Sequence, residues 1–273
     1  MIGKLKKYAL IASRVLKRPK TLQEIKTLSD PMLDCVLESL EKAARSGLSD
    51  EVTADFRRQE LYARKLMQDD SLVNYEVFNN PQPKKVSSIY RKAASPPFWC
   101  RFYYHLIREL ELTDCFEIGT NLGVSGGYII EALKYENNSS YTTLEGIPDL
   151  CRIANQHFDA IKRNVRVSVV EGMYQDTFNQ AVNGHRFDLV FVDGNHQEAP
   201  TLEYFEKLKP RLKSKAVMIF DDINWNKGMQ KAWYKITNDP GVSHTLDLYK
   251  MGIVIFNGET KESGGNFALH VRF

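Results

Sequence analysis

The sequence predicts an α/β fold built on an open, mostly parallel sheet, and three observations carry that prediction. Downstream of Gly119, short apolar runs alternate with helical patterns across short connections, as in a parallel sheet covered on both faces. The stretch from Cys115 to Gly127 reads as a buried strand, a glycine turn and the first turn of a helix. Acidic residues stand where several of the later strands end, and open sheets of this kind bind ligands beyond the carboxyl ends of their strands.

The 273 residues suffice for one large domain or for a core with an appendage. The hydrophobic fraction of 43% and the charged fraction of 26% are those of an ordinary globular protein. A net charge of +3 is too near balance to point to nucleic acid. The charge is uneven, because Lys4, Lys6, Lys7, Arg14, Lys17, Arg18 and Lys20 fall in the first 20 residues with no acid among them. Cys35, Cys100, Cys115 and Cys151 show no metal-type spacing, which fits a reduced, cytoplasmic setting. No run is apolar enough to span a membrane, and the basic start lacks the apolar core of a secretory signal.

Residues 1–80 read as an all-helical N-terminal region acting as a lid, a docking element or a dimerisation element, with residues 81–273 forming the sheet domain. Ile2, Leu5, Ala9, Ala12 and Leu16 recur at helical spacing between basic residues. That helix lies on an anionic membrane surface, or it docks on its own domain or on a partner subunit. Thr21-Leu-Gln-Glu24 has the form of a capping box. Asp30-Pro31 before Met32, Leu33, Val36, Leu37 and Leu40 reads as an N-cap, a first-turn proline and an apolar stripe. Gly47 ends that helix and Ser49-Asp50 starts another. The segment 79–85, with two prolines, is the clearest break. A helix from Phe98 to Glu109 then precedes the first core strand, its aromatics read as packing, and His105 is given no role.

Strands follow at 115–118, 141–145, 165–171, 187–193 and 215–221, each with a helix behind it. The runs 245–249 and 252–256 are spaced for an antiparallel hairpin. The tail from Phe267 to Phe273 alternates like a further strand, extending a sheet within or between subunits.

The first turn has the spacing Glu117-x-Gly119-x-x-x-Gly123-x-Ser125. This is neither the Gly-x-Gly-x-x-Gly of a dinucleotide site nor a phosphate loop. Glycines let the backbone turn sharply beside a ligand, and the helix behind them points free N–H groups at it. The turn resembles the first motif of class I S-adenosylmethionine (SAM) methyltransferases. Glu145 ends the second strand 26 positions after Gly119, and its two coplanar acceptor oxygens match two ribose hydroxyls. Five βα units closed by a hairpin resemble that family's Rossmann-like, seven-stranded sheet with an antiparallel last strand. The resemblance implies SAM as cofactor, held by Glu117, Gly119, Thr120, Asn121, Gly123 and Ser125, and by Glu145, Gly146 and Ile147. It further implies an adenine edge at Gly172, Met173, Tyr174 and Gln175, with Asp193 at the cofactor's amine or capping the helix after it.

The chemical end comprises Asp193-Gly-Asn-His196 and Asp221-Asp222. Three clustered carboxylates repel unless a positive charge sits among them, and such oxygen-rich sites suit Mg²⁺, Ca²⁺ or Mn²⁺. The arrangement resembles the catechol O-methyltransferase-like group. This implies a divalent cation, Mg²⁺ first, on Asp193, Asp221 and Asp222, lowering the pKa of an acceptor hydroxyl. Two departures stand out: Asp-Asp replaces that group's Asp-Asn, and His196 replaces its lysine. The Asp-Gly-x-His form is similar to bacterial methyltransferases of small molecules and sugars. His196, with an ordinary imidazole pKa of about 6.5, then serves with Asp193 as the catalytic base or as a second hydrogen-bonding layer. The expected activity is methyl transfer to a hydroxyl of a small-molecule acceptor. A metal-independent transferase acting on oxygen or nitrogen, or a silent scaffold assembled by the N-terminal helices, is the alternative.

Overall fold

The structure, a computed structural model, describes residues 2–45, 47–78, 80–258 and 264–271. Contacts divide the chain into two units, Met1–Glu38 with Asp188–Phe273, and Ser39–Phe187. An eight-stranded, mostly parallel sheet with helices around it forms the α/β core.

Three helices lead the chain: α1 (Ile2–Thr27), α2 (Pro31–Ala44) and α3 (Asp50–Gln68). The caps expected of the latter two are present. Asp30 accepts from the Leu33 amide (2.9 Å), and Ser49 accepts from that of Val52 (3.4 Å). In contrast, α1 runs unbroken through Pro19 and past Thr21, so no cap forms there. Of its apolar stripe, Ala9, Ala12 and Leu16 are exposed while Arg14 is buried, and the side chains of Ile2 and Leu5 lie outside the described residues. An ion pair outweighs weak amphipathicity here.

The all-helical reading of residues 1–80 fails at Leu72. There β1 (Leu72–Tyr75) pairs antiparallel with β2 (Asn80–Lys85), before α4 (Val86–Ala93). The polar double-proline stretch therefore lies on a two-stranded ribbon, where proline is tolerated because no central ladder needs its missing N–H.

In the second unit, α5 (Pro97–Leu110) leads into β3 (Asp114–Ile118), α6 (Val124–Leu133), β4 (Ser140–Glu145), α7 (Pro148–Ile161), β5 (Arg166–Glu171) and α8 (Tyr174–Val182). The strands β3, β4 and β5 pair in parallel, with Glu117 opposite Thr143 and Glu145 opposite Glu171. Trp99, Phe102, Tyr103 and Tyr104 of α5 are all core.

The N-terminal helix α3 is fastened to this unit by a buried polar network. Asp55 accepts from Tyr104 and Tyr135 (both 2.9 Å) and pairs with Arg58 and Lys134. Glu131 of α6 accepts from Arg58 Nε (2.7 Å), Lys134 (2.6 Å) and Gln59 (3.2 Å). Two acids and two bases satisfy one another, which removes the penalty of a lone buried charge.

The remaining unit continues from β6 (Phe187–Val192) through α9 (Glu198–Leu208), β7 (Leu212–Phe220), α10 (Lys227–Thr237), β8 (His244–Asp247), β9 (Gly252–Phe256) and β10 (Asn266–Ala268). Here the sheet order is β10-β8-β9-β7-β6, with β9 antiparallel to both neighbours and β10 parallel to β8. The expected hairpin and edge strand are present; the eighth strand is the tail at 266–268, while Arg272 and Phe273 lie outside the described residues. Arg14 of α1 clamps Asp247 in a fork of 2.7 and 2.8 Å and donates again to its carbonyl, a bidentate geometry that only arginine provides.

Candidate active site

The first strand-to-helix turn forms because its residues accept left-handed backbone. Gly119 and Gly123 have φ of 105° and 73°, and Asn121, of a residue type tolerant of that region, has 49°. A Cβ on Gly123 would lie 2.8 Å from the Phe158 ring of α7. The amides of Gly119 and Thr120 both donate to the Leu144 carbonyl (3.1 Å), tying the turn to the end of β4.

Glu145, 5% exposed, accepts from the amides of Asn121 (2.8 Å) and Ile147 (2.9 Å), one on each oxygen. Burial raises its pKa, opposed by these amides. The carboxylate is thus aimed and fixed by backbone donors on both of its oxygens.

Other expected cofactor residues occupy different places. Glu117 has no exposed surface. It accepts from Ser125 (2.5 Å), Thr143 (3.1 Å) and Tyr141. Burial pushes its pKa up to about 7 against these hydroxyls. Glu117 and Ser125 therefore brace the turn from behind, and the buried Thr120 hydroxyl is spent on Thr143 (2.6 Å). Gly146 is buried, and Ile147 packs in an apolar cluster with Leu66, Val73, Val86, Ile89, Leu122 and Leu150. At the end of β5, Gly172, Met173 and Tyr174 are half-buried and Gln175 is exposed; the Gly172 amide donates to the Glu145 carbonyl (2.9 Å).

A contact to this turn from the N-terminal segment was not legible in the motifs. Tyr62 of α3 donates to the Leu122 carbonyl (2.6 Å) while stacking flat on His157 at 3.6 Å. Burial raises the Tyr75 pKa, and the negative charge of Glu145 raises it further. The sequence signal was only an aromatic residue within a polar stretch.

In the other unit, β6 ends before Asp193-Gly-Asn-His196, and β7 before Asp221-Asp222. The Asp221 amide donates to the Val192 carbonyl (3.0 Å), bringing the two strand ends together. Asn195 and Asp222 take left-handed backbone, φ 51° and 52°. His196 Nε2 lies 3.7 Å from Asp193 Oδ1 and 4.0 Å from Asp222 Oδ2. The imidazole is thus set between two carboxylates.

The positive charge that three carboxylates require is present, and it is an ammonium. Lys250 Nζ lies 2.9 Å from Asp221 Oδ2. Burial lowers the Lys250 pKa, but Asp221, followed by Asp222 and Asp193, outweighs it and leaves the ammonium strengthened. Burial and then Asp221 raise the pKa of Asp222. Among the described residues no three His, Cys, Asp or Glu side chains converge as a metal ion would need. The expected Asp193–Asp221–Asp222 metal centre is corrected accordingly: the donor set does not fit, because Lys250 holds Asp221. Lys250 was missed because it follows β8, 28 positions beyond Asp222. Yet β8 runs with β7, both opposing β9, so its carboxyl end reaches the same sheet edge.

Among the aromatics, Trp99 and Trp233 are core, while Trp225 and Tyr234 are 70% and 71% exposed.

Residues 116–223 match a family described as a methyltransferase domain. An O-methyltransferase from Bacillus cereus, solved with SAH, is 23% identical over 66% of this chain and 89% of its own, with a TM-score of 0.53. The SAH-bound methyltransferase PaMTH1 of Podospora anserina is 17% identical over 78% and 99%, also at 0.53. TomG of Streptomyces achromogenes, an O-methyltransferase of tomaymycin synthesis solved with SAM, is 16% identical over 80% and 94%, at 0.52. No curated protein matches the chain. These structural likenesses carry the fold, and over residues 116–223 the chain is similar to the methyltransferase-domain family.

Proposed function

We propose that the chain moves a methyl group from SAM to a hydroxyl of a small molecule, of sugar or natural-product type, with His196 as general base. The observation that carries this reading is the Glu145 carboxylate, held by the Asn121 and Ile147 amides over the Gly119–Gly123 turn. Its two coplanar acceptor oxygens suit the two ribose hydroxyls. The charge of Glu145 is felt at Tyr75, and Gly172 to Gln175 edge the adenine.

The reaction is an in-line displacement. The oxygen–methyl bond forms as the sulfur–methyl bond breaks, the sulfonium charge disappears and SAH leaves. No acid is needed, only alignment and an acceptor oxygen freed of its proton. His196 takes that proton, and the carboxylates of Asp193 and Asp222 on either side stabilise the imidazolium that results. The positive charge among the acids is supplied by Lys250, so this is the metal-independent form of the expected chemistry. That the Bacillus cereus and Streptomyces relatives are O-methyltransferases supports a hydroxyl acceptor.

Calorimetric titration with SAM tests the reading. The wild type is expected to bind, and Glu145→Ala to bind roughly 100-fold more weakly, since two charge-assisted hydrogen bonds are lost. Transfer of labelled methyl to a panel of hydroxylated small molecules is expected to be unchanged by Mg²⁺ or EDTA. Absence of SAM binding by the wild type overturns the proposal. SAM binding without transfer to any acceptor would leave a silent scaffold.

A further inference from the structure

Helix α3 has two opposed faces. Asp55, Gln59, Tyr62 and Leu66 recur at helical spacing and meet the buried network, the Leu122 carbonyl and the apolar cluster described above. At 100° per residue, Arg57, Glu60, Leu61 and Arg64 fall on the reverse side. That reverse face lines a cavity of about 600 Å³ between α3, the end of α2 and the start of α5.

The lining is strongly cationic. Arg45, Arg57, Arg64 and Arg101 border the cavity against the single carboxylate of Glu60. Arg45 pairs with Glu41 (3.2 Å) and Arg101 with Glu60 (3.0 Å). Arg57 and Arg64, one helical face and two turns apart, have no ion-pair partner among the described residues, which leaves two guanidinium groups uncompensated. Arg101 uses Nη2 on Glu60, its guanidinium rests over the Phe56 ring at 5.3 Å, and its buried Nε–H has no acceptor. Like charges gathered in one concave place cost energy unless a counter-charge arrives, and arginine forks match phosphate and carboxylate oxygens in pairs. The floor adds Phe56, Leu48 and Leu61, the mixture of apolar wall and few convergent polar groups that binds small molecules.

We propose that this cavity is a binding site for a small polyanion, bearing phosphates or clustered carboxylates, separate from the methyl-transfer site. It uses the side of α3 turned away from the glycine turn, so it does not depend on the reading of the cofactor or acceptor.

Calorimetric titration of the full chain at low ionic strength with pyrophosphate, and separately with citrate, tests it. At least one probe is expected to bind at a single site. Arg57→Gln with Arg64→Gln is expected to weaken it more than about tenfold, as charge-assisted bonds to two guanidinium groups are lost. Both residues are exposed, and an unchanged melting temperature confirms that this variant is folded. Lys227→Gln with Lys231→Gln removes the same charge from the exposed side of α10 and is expected to leave binding intact. The proposal is overturned if neither probe binds the wild type. It is equally overturned if the α3 variant binds as the wild type does, or if the α10 variant loses as much, which would make the attraction one of net charge alone.

Discussion

Glu145 and Asp221 stand at or just past the carboxyl ends of strands, and each is 5% exposed, yet their charges are held in different ways. Glu145 is held by backbone amides two residues ahead and 24 residues behind, both belonging to turns that meet at the glycine loop. Asp221 is held by the Lys250 side chain, 29 positions away. Backbone donors cannot leave and do not titrate. An ammonium on a flexible stem can do both. On the proposed reading, the end that takes SAM is a fixed receptor, while the end that takes the acceptor is a balance of mobile charges set around one imidazole.

The sharpest way to break this comparison is at His196. If the acceptor end is independent of the receptor, His196→Ala lowers kcat by about 10²–10³-fold, the usual worth of a positioned base. The SAM Kd then stays within about twofold, as for separate sites. Steady-state rates beside calorimetry decide this, and a parallel loss of SAM affinity would erase the distinction.

The next effect is on stability and concerns Glu117. Its pKa rises from 4.5 to about 7 on folding, so the folded state binds the proton more tightly. The stabilisation is complete below pH 4.5 and disappears as the pH climbs through about 7. Urea unfolding at pH 5 and pH 8 is expected to show a fall of about 2–3 kcal/mol that Glu117→Gln lacks. An identical fall in the variant would place the titration elsewhere.

A smaller effect sharpens the other side. Lys250→Ala is expected to cost about 1–2 kcal/mol of unfolding free energy, less than a fully buried pair because the lysine is partly exposed. With the ammonium gone, Asp221 and Asp222 are free to take a hard cation. Mg²⁺ should therefore give a heat with Lys250→Ala and none with the wild type. Heat of binding in the wild type would restore the metal centre.

The same contrast explains what could be read from the chain alone. Glu145 was legible because a glycine turn and a strand end are local patterns, and Asn121 and Ile147 lie where those patterns put them. The βα alternation, the Asp30 and Ser49 caps and the β8–β9 hairpin were legible for the same reason. Lys250 was not, since nothing near it in sequence marks it as a partner of Asp221. The seat of Arg14 on Asp247 was not legible either, since hydrophobic spacing does not register that attraction. Glu117 shows a third case: its position was right and its task was not, because only the packed neighbours Tyr141 and Thr143 reveal that it faces inward.

The fastening of α3 onto α6 bears on where the catalytic piece of this chain begins. The residues that match the methyltransferase domain start at Phe116, but the outer face of α6 is not a surface. A methyl group on Gly127 would come within 2.2 Å of Gln59 Oε1, and Glu131 and Lys134, both nearly without exposed area, complete their pairing only with Asp55 and Arg58. A chain trimmed to the matched segment would bare a charged pair and the apolar group around Leu122 and Ile147 in one stroke. Helix α3 is therefore part of this wall, and a minimal folded segment is expected to need a cut upstream of Asp50.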